Sequence, residues 1–363
     1  MTSSSTKAGD ETLMRHEDII IKVLDPHHVD ESEKLALNVF GNRMRLEQWP
    51  EDPPLGPEGT LARWRYVPRY YDIHQWAAWT VDNTQVVARA AICIGRSGEN
   101  RHMADFEIAV VPEMRCRGIA KRLLGSIAEI ARKENRRLLL VITDYDIPAG
   151  RQFAKRLGAR KGLVSQTNQL DIGDLAWDVL SQWLQRGRKQ AVEFEIGLWE
   201  GPYPAEHAES MVVMKEIINA APTDLLEIEG FKWTVEELRQ EEFAQAQEGT
   251  ERWTIYLRHL RTGDFVGFTE VFWKPYYPES MEQGYTVVDS KYRKRGLAQW
   301  LKAEMLQRVT ETRPMVKRIR TGNAESNAPM IRINRKLGFK LCKLWTTWQL
   351  DLGQVLAYLG ASR

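Results

Sequence analysis

The chain has few of the features that mark secreted, membrane or metal-binding proteins. Only three of its 363 residues are cysteines, and they lie far apart at Cys93, Cys116 and Cys342, which excludes a disulfide framework or a zinc knuckle. No run approaches the roughly 18 apolar residues that a membrane-spanning helix needs, and the first residues lack the apolar core of a signal peptide. The seven histidines include no His-Glu-x-x-His pair. We therefore expect a cytoplasmic protein with no metal and no membrane partner.

A large excess of one charge is also lacking. The 51 Lys and Arg residues almost balance the 49 Asp and Glu residues, so no overall field favours a nucleic-acid partner. Apolar residues make up 43% and charged residues 28% of the chain, as in ordinary globular proteins. The length fits about two domains.

A repeat of about 180 residues is the most informative feature of the sequence. The segment IAVVPEMRCRGIA at 108–120 matches TVVDSKYRKRGLA at 286–298, and AKRLGA at 154–159 matches NRKLGF at 334–339. Two matched blocks in the same order and at similar separation indicate two copies of one domain.

Both copies give the same predicted order of elements. An opening strand and helices precede a hairpin, a third strand, an amphipathic helix, a buried strand, a short helix and a closing strand, which is 164–172 in one copy and 341–352 in the other. We predict an α+β fold of two tandem domains, each a mixed, mostly antiparallel sheet flanked by helices. The predicted bounds are a mobile tail at 1–17, a first domain at 18–173, a connecting helix at 174–190 and a second domain at 191–363.

The spacing Arg-x-x-Gly-x-Ala occurs in both copies, between an apolar strand and a helix. The first turn of a helix leaves backbone N–H groups unpaired and carries partial positive charge, and glycine lets an anion approach the backbone closely. The pattern therefore predicts a diphosphate site; the alternative is an ordinary turn whose basic residues are solvated. The residues concerned are Arg115, Arg117, Gly118 and Ala120 in the first copy, and Arg293, Lys294, Arg295, Gly296 and Ala298 in the second.

These motifs resemble those of the GCN5-related N-acetyltransferase (GNAT) superfamily in its tandem, two-domain form. In that family Arg/Gln-x-x-Gly-x-Gly/Ala binds the diphosphate of acetyl-CoA, and a later Asn contacts the pantetheine arm. The segment RTGNAESNAPMIRINRKLGF at 320–339 resembles that later region. The resemblance implies acetyl-CoA as cosubstrate, bound by the motif residues above together with Val110 in the first copy and Val287, Val288, Leu297, Asn323, Asn327 and Asn334 in the second.

The two copies differ at these positions. Asn323 and Asn327 correspond to Thr143 and Ile147, so the second copy keeps more of the implied contacts, and we expect it to be the active one. Many family members also have a Tyr general acid three residues before the Leu of Leu-Gly-Phe. The sequence has Ala154 and Asn334 there, so that acid is absent or comes from elsewhere.

The resemblance further implies that an amine attacks the thioester directly while a carboxylate accepts its proton and a strand N–H, here aligned with Val288, stabilises the oxyanion. Glu270 is the predicted base because it lies on an otherwise apolar strand face, where desolvation would raise its pKa; a solvated strand-end Glu is the alternative. Tyr285 is a candidate to orient the substrate or donate a proton, unless it only packs the sheet. Glu282 is a weaker candidate base, and Glu107 becomes the base if the first copy is active.

The resemblance favours an acetyl-CoA-dependent N-acetyltransferase that acts on a small-molecule primary amine. Two alternatives stay open. The missing Tyr fits a non-catalytic acyl-CoA-binding or sensing protein, and a protein or peptide acetyltransferase would need an open groove. Two copies in one chain are compatible with a monomer or a homodimer.

Overall fold

The computed structural model describes residues 19–361, so the tail predicted at 1–17 lies outside the described residues. The first half of the chain contains β1 (Ile19–Val23), α1 (Glu31–Gln48), α2 (Pro57–Arg65), β2 (Tyr71–Thr80), β3 (Val86–Gly95), β4 (Met103–Val110), α3 (Ile119–Lys133), β5 (Leu138–Asp144), α4 (Pro148–Arg156) and β6 (Arg160–Asp171).

The second half repeats this order after a connecting helix. It contains α5 (Trp177–Arg188), β7 (Phe194–Glu200), α6 (Ala208–Glu216), α7 (Val235–Glu248), β8 (Glu251–His259), β9 (Phe265–Trp273), β10 (Ser280–Val288), α8 (Leu297–Thr312), β11 (Arg318–Ala324), α9 (Ala328–Lys336), β12 (Lys340–Asp351) and α10 (Leu352–Gly360).

Local sequence signals account for several of these boundaries. Asp30 caps α1 and Thr234 caps α7, and each forms a reciprocal capping box with the Glu three residues later. Proline occupies the start of α2 and α4, where its missing N–H has no intrahelical partner to lose. Helix α3 buries a stripe at helical spacing against the sheet, formed by Ile119, Leu123, Leu124, Ile127, Ala128 and Ala131.

The twelve strands within residues 19–361 belong to one sheet in the order β1-β2-β3-β4-β5-β12-β6-β11-β10-β9-β8-β7. Only the pairs β4–β5 and β10–β11 are parallel, and the other described pairs are antiparallel. The predicted fold class, a mixed and mostly antiparallel sheet in each of two copies, is confirmed.

The closing strands are exchanged between the halves, which the sequence did not predict. Strand β6 pairs with β11 of the second half, β12 pairs with β5 of the first half, and β6 and β12 pair with each other. Packing follows the same exchange, because Trp348 and Leu350 of β12 join the first core whereas Leu170 of β6 joins the second. The mutual β6–β12 ladder leaves no open sheet edge between the halves.

Each half also contains a pair of parallel strands that diverge. Strands β4 and β5 pair only from Met103 to Asp105, and β10 and β11 pair only from Ser280 to Gln283. Beyond those residues the strands separate, so the facing backbone edges have no ladder partner. Two V-shaped clefts result, and each opens toward one of the Arg-x-x-Gly-x-Ala turns.

Candidate functional site

The two Arg-x-x-Gly-x-Ala turns have the same backbone conformation. Gly118 and Gly296 are left-handed, with φ of +79° and +81°, and the residues two positions earlier, Cys116 and Lys294, are also left-handed, with φ of +60° and +64°. No side chain caps the N-terminus of α3 or α8 in the described part of the chain. The N–H groups of each first helical turn are therefore directed at the mouth of its cleft.

The first arginine of each motif fixes the turn to the end of the preceding strand. Arg115 donates from Nε to the Val110 carbonyl at 3.0 Å, and Arg293 donates to the Val288 carbonyl at 3.1 Å. The terminal nitrogens of Arg115 also bind both carboxylate oxygens of Glu47, at 2.7 and 2.5 Å. These contacts assign both arginines a positioning role that the motif alone does not specify.

The space beside the two glycines differs between the halves. A Cβ at Gly118 would meet no atom within 4 Å, whereas at Gly296 it would lie 3.4 Å from Oε1 of Gln299. Arg295, predicted to bind the cofactor, instead pairs with Glu193 at 2.8 and 2.5 Å. The side chain of Leu297 is buried in the second core, so only its backbone can face the cleft.

A cavity of about 860 Å³ occupies the first cleft. It reaches from the turn at Gly118, where Tyr358 of α10 contributes to the wall, between the diverging strands β4 and β5. Its other end is lined by Trp64 of α2 and by the second half, which contributes Tyr276 and Tyr277. The cavity thus connects the predicted anion-binding turn to a chamber between the two halves.

Glu107 of β4 lines this cavity and also a smaller pocket of about 300 Å³ that shares the wall at Trp64. Its side chain is 62% exposed and forms an ion pair with the buried Arg89. Arg89 donates to Gln75 at 2.5 Å and stacks 4.3 Å from the Trp64 ring centroid, and Gln75 donates to the Trp64 carbonyl at 3.0 Å. This chain of contacts holds the Glu107 carboxylate at the junction of the two spaces.

Asp105 lies two residues before Glu107, on the same face of β4, and lines the smaller pocket. Solvent reaches it through the pocket, but the surrounding protein desolvates the carboxylate and raises its pKa to about 6. The first half therefore presents two neighbouring carboxylates beside its cleft, and the pKa of one of them is raised above its ordinary value.

Glu270, the predicted base, has a different environment. It is 1% exposed, as expected for a carboxylate on an apolar strand face. One oxygen accepts hydrogen bonds from the Tyr203 hydroxyl and, at 3.3 Å, from Thr254, while the other makes no hydrogen bond in the described residues. Arg252 lies 3.9 Å away. Enclosure in this network separates Glu270 from any solvent-borne amine.

The other residues predicted for the second copy are dispersed around its cleft. Tyr285 is half-exposed in an irregular stretch of β10, and desolvation by the surrounding protein raises the pKa of its hydroxyl, with Glu241 the next contributor. Asn334 is buried and donates to Asn323 at 2.9 Å, while Asn327 caps α9 by accepting from the Met330 N–H at 3.3 Å. The three amides thus support local structure.

The cavity wall includes residues that no motif identified. Asp52 follows α1, Arg89 lies within a strand that reads as apolar, and Tyr277 lies in a loop of the other half. Arg89 was detectable as the one charge in the run VVARAAICI. No sequence pattern around Asp52 or Tyr277 marks them as cavity residues, because their positions depend on how the two halves pack together.

Models of the acetyltransferase (GNAT) family and the acetyltransferase (GNAT) domain match residues 43–159 and 178–340. The chain belongs to the GNAT acetyltransferase superfamily. Its two GNAT copies stand in tandem, as the sequence predicted, and both matched ranges end where the exchanged strands β6 and β12 begin. Members of this superfamily are generally N-acetyltransferases that use acetyl-CoA.

Solved structures share this architecture. A tandem GNAT protein from the clavulanic acid biosynthesis pathway is 22% identical, with a TM-score of 0.71 over 92% of this chain and 99% of that one. A GNAT protein from Sphaerobacter thermophilus is 13% identical, with a TM-score of 0.63 over 93% and 97%. A glucosamine N-acetyltransferase region of a fungal multi-domain enzyme is 13% identical, with a TM-score of 0.65 over 92% and 38%. At these identities the likeness establishes the fold alone.

No curated protein sequence matches the chain significantly. Residues 19–361 contain no group of three or more His, Cys, Asp or Glu side chains arranged to hold a metal ion. In the same range, every helix is too short or too polar to cross a membrane.

Proposed function

We propose that this protein is an acetyl-CoA-dependent N-acetyltransferase that acetylates the primary amine of a small molecule, and that the reaction takes place in the first half. The observation that carries the proposal is the cavity of about 860 Å³, which joins the turn at Gly118 to the carboxylate of Glu107. The second half, which the sequence favoured, has its predicted base Glu270 enclosed in a hydrogen-bonded network.

The residues at the first cleft fit acetyl-CoA. The uncapped N-terminus of α3 and the open space beside Gly118 suit a diphosphate. The unpaired backbone edges of β4 and β5 beyond Asp105 suit the amide-rich pantetheine arm, which can pair with them as an added strand. Lys121, which also lines the cavity, contributes a cation near the turn.

Acetyl-CoA supplies the acetyl group as a thioester. Glu107 accepts a proton from the ammonium group of the acceptor, and the freed amine nitrogen bonds to the carbonyl carbon as the carbon–sulfur bond breaks and sulfur leaves as a thiolate. The nitrogen gives up its second proton as the amide forms, and this proton passes to the thiolate, directly or through solvent, so that coenzyme A leaves as the free thiol. N–H groups on the open edge of β4 donate to the carbonyl oxygen as it gains charge. Arg89 orients Glu107, and Asp105, with a pKa of about 6, can pass the proton on.

The second half serves as a structural partner in this proposal. Its segment 274–282 covers the acceptor end of the cavity, which favours a small acceptor over a protein or peptide chain. Because the exchanged strands already join two GNAT copies within one chain, we also propose a monomer. The composition fits a cytoplasmic location.

A thiol-release assay against a panel of small amines tests the proposal. Glu107→Gln should lower kcat by about 100-fold or more, the usual contribution of a general base. The matched variant Glu270→Gln should have a much smaller effect on turnover. A greater loss in Glu270→Gln would move the chemistry to the second half. Coenzyme A binding without turnover of any amine would support the sensing alternative instead.

A further inference from the structure

The acceptor end of the large cavity contains a buried arginine without a hydrogen-bond partner. Arg45 of α1 lines the cavity and is only 8% exposed. Both of its terminal nitrogens are shielded from water and make no hydrogen bond within residues 19–361. The nearest carboxylate oxygen, on Asp52, lies 3.6 Å from Nη2. A guanidinium buried in this way is unfavourable unless something else completes its shell.

Asp52 cannot complete that shell, because other groups already occupy its oxygens. Arg320 donates to both of them at 2.7 Å, Arg318 donates at 3.0 Å, and the Tyr277 hydroxyl donates at 2.5 Å. These donors all come from the second half of the chain. Asp52 therefore serves the junction between the halves. Arg45 keeps only the 3.6 Å ion-pair contact with it and stacks 4.2 Å from the Tyr277 ring centroid, so its terminal N–H groups still lack acceptors.

A further arginine extends the positive potential along the same wall. Arg63, in the last turn of α2, lines both cavities and makes no hydrogen bond or ion pair in the described part of the chain. Burial lowers the pKa of Arg45 to about 10. The charge of Asp52 raises this pKa in part, and the positive charges of Arg63 and Arg320 lower it further. The acids lining this end are Asp52 and Glu282, so three lining arginines, Arg45, Arg63 and Arg320, face two acids.

We propose that Arg45 and Arg63 bind an anionic group of the acceptor, so that the acceptor is a small molecule carrying both a primary amine and a carboxylate or phosphate. That the acceptor carries an amine rests on the proposed function, which places Glu107 and Asp105 near its ammonium group. That the acceptor also carries an anionic group rests on the two arginines alone. The anionic group would accept the hydrogen bonds that Arg45 lacks. The acceptor molecule would then be held at both ends, with its ammonium group near carboxylates and its anionic group near arginines.

Matched amines with and without the anionic group test this inference. We compare 6-aminohexanoate with hexylamine, phenylalanine with phenethylamine, and phosphoethanolamine with ethanolamine, which separates carboxylate from phosphate. In each productive pair the anionic member should have a KM lower by about tenfold to a hundredfold, the range of one charge-assisted hydrogen bond or pair. Arg45→Met and Arg63→Met should remove this preference, because the KM of the anionic member should rise to that of its uncharged partner.

Two further measurements separate this inference from the proposed function. Calorimetry with 6-aminohexanoate and hexylamine, in the presence of coenzyme A, reports acceptor binding without turnover. Thermal unfolding of Arg45→Met reports whether Arg45 stabilises the fold; for a residue that binds an anion the melting temperature should hold or rise. Equal affinity for both members of every pair, or a variant that loses stability and binds all amines equally poorly, would overturn the inference. Failure of coenzyme A to bind would instead refute the proposed function.

Discussion

Substituting the two motif glycines with glutamate identifies the cleft that binds coenzyme A. Gly118 and Gly296 have φ of +79° and +81°, so a side chain costs about 1–2 kcal/mol of backbone strain at either position. The strain therefore cancels between Gly118→Glu and Gly296→Glu. What differs is that Gly118 borders the large cavity, where a carboxylate would occupy the space proposed for the diphosphate.

The expected loss of affinity follows from the contacts removed. Excluding the diphosphate from two backbone N–H groups of α3 costs about 3–6 kcal/mol, or roughly 100-fold to 10,000-fold in Kd for coenzyme A. Repulsion by the new carboxylate adds to this. Isothermal titration calorimetry should give one site in the wild type, near-complete loss in Gly118→Glu and a much smaller change in Gly296→Glu. The alanine variants at both positions report the backbone strain without the charge.

The opposite ranking would refute this reasoning and return the cofactor to the second half. Equal losses in both variants, with two sites in the wild type, would mean that both clefts bind coenzyme A. Thermal unfolding must show similar melting temperatures for the two glutamate variants, because otherwise the comparison reports folding and not binding.

Two further predictions concern stability. Because desolvation by the surrounding protein raises the pKa of Asp105 from 3.8 to about 6, the folded state binds this proton more tightly than the unfolded state. The stability due to this group therefore falls as pH rises from about 4 to above 6. The melting temperature of Asp105→Asn minus that of the wild type should therefore increase from pH 4 to pH 7. A difference that stays constant with pH would contradict the raised pKa of Asp105. Thr143→Val should lower the free energy of unfolding by about 1–3 kcal/mol, because it leaves the buried indole N–H of Trp348 unpaired. Thr167→Val, which removes the same 2.8 Å contact from the partly exposed Trp345, should cost less in urea unfolding, and equal costs would contradict the role of burial.

The strand exchange shows why pairing across the halves escaped prediction. Strands β6 and β12 close equivalent copies and have equivalent neighbours in sequence, so each could pair with its own half or with the other. Local pattern predicts that a strand forms but not its partner, because the partner is chosen by packing over long sequence separation. The place of Trp348 in the first core is decided at that level.

The sequence by itself determined the repeat, the GNAT fold class and the two turns at Gly118 and Gly296, because helix starts and left-handed glycines are encoded within a few residues. It also placed Glu270 on an apolar strand face. Only the tertiary structure decided that Tyr203 and Arg252 enclose this carboxylate, and that Glu107 faces a large cavity. The reason is that alternation along a strand gives the direction of a side chain, whereas burial and charge depend on elements that arrive from distant parts of the chain.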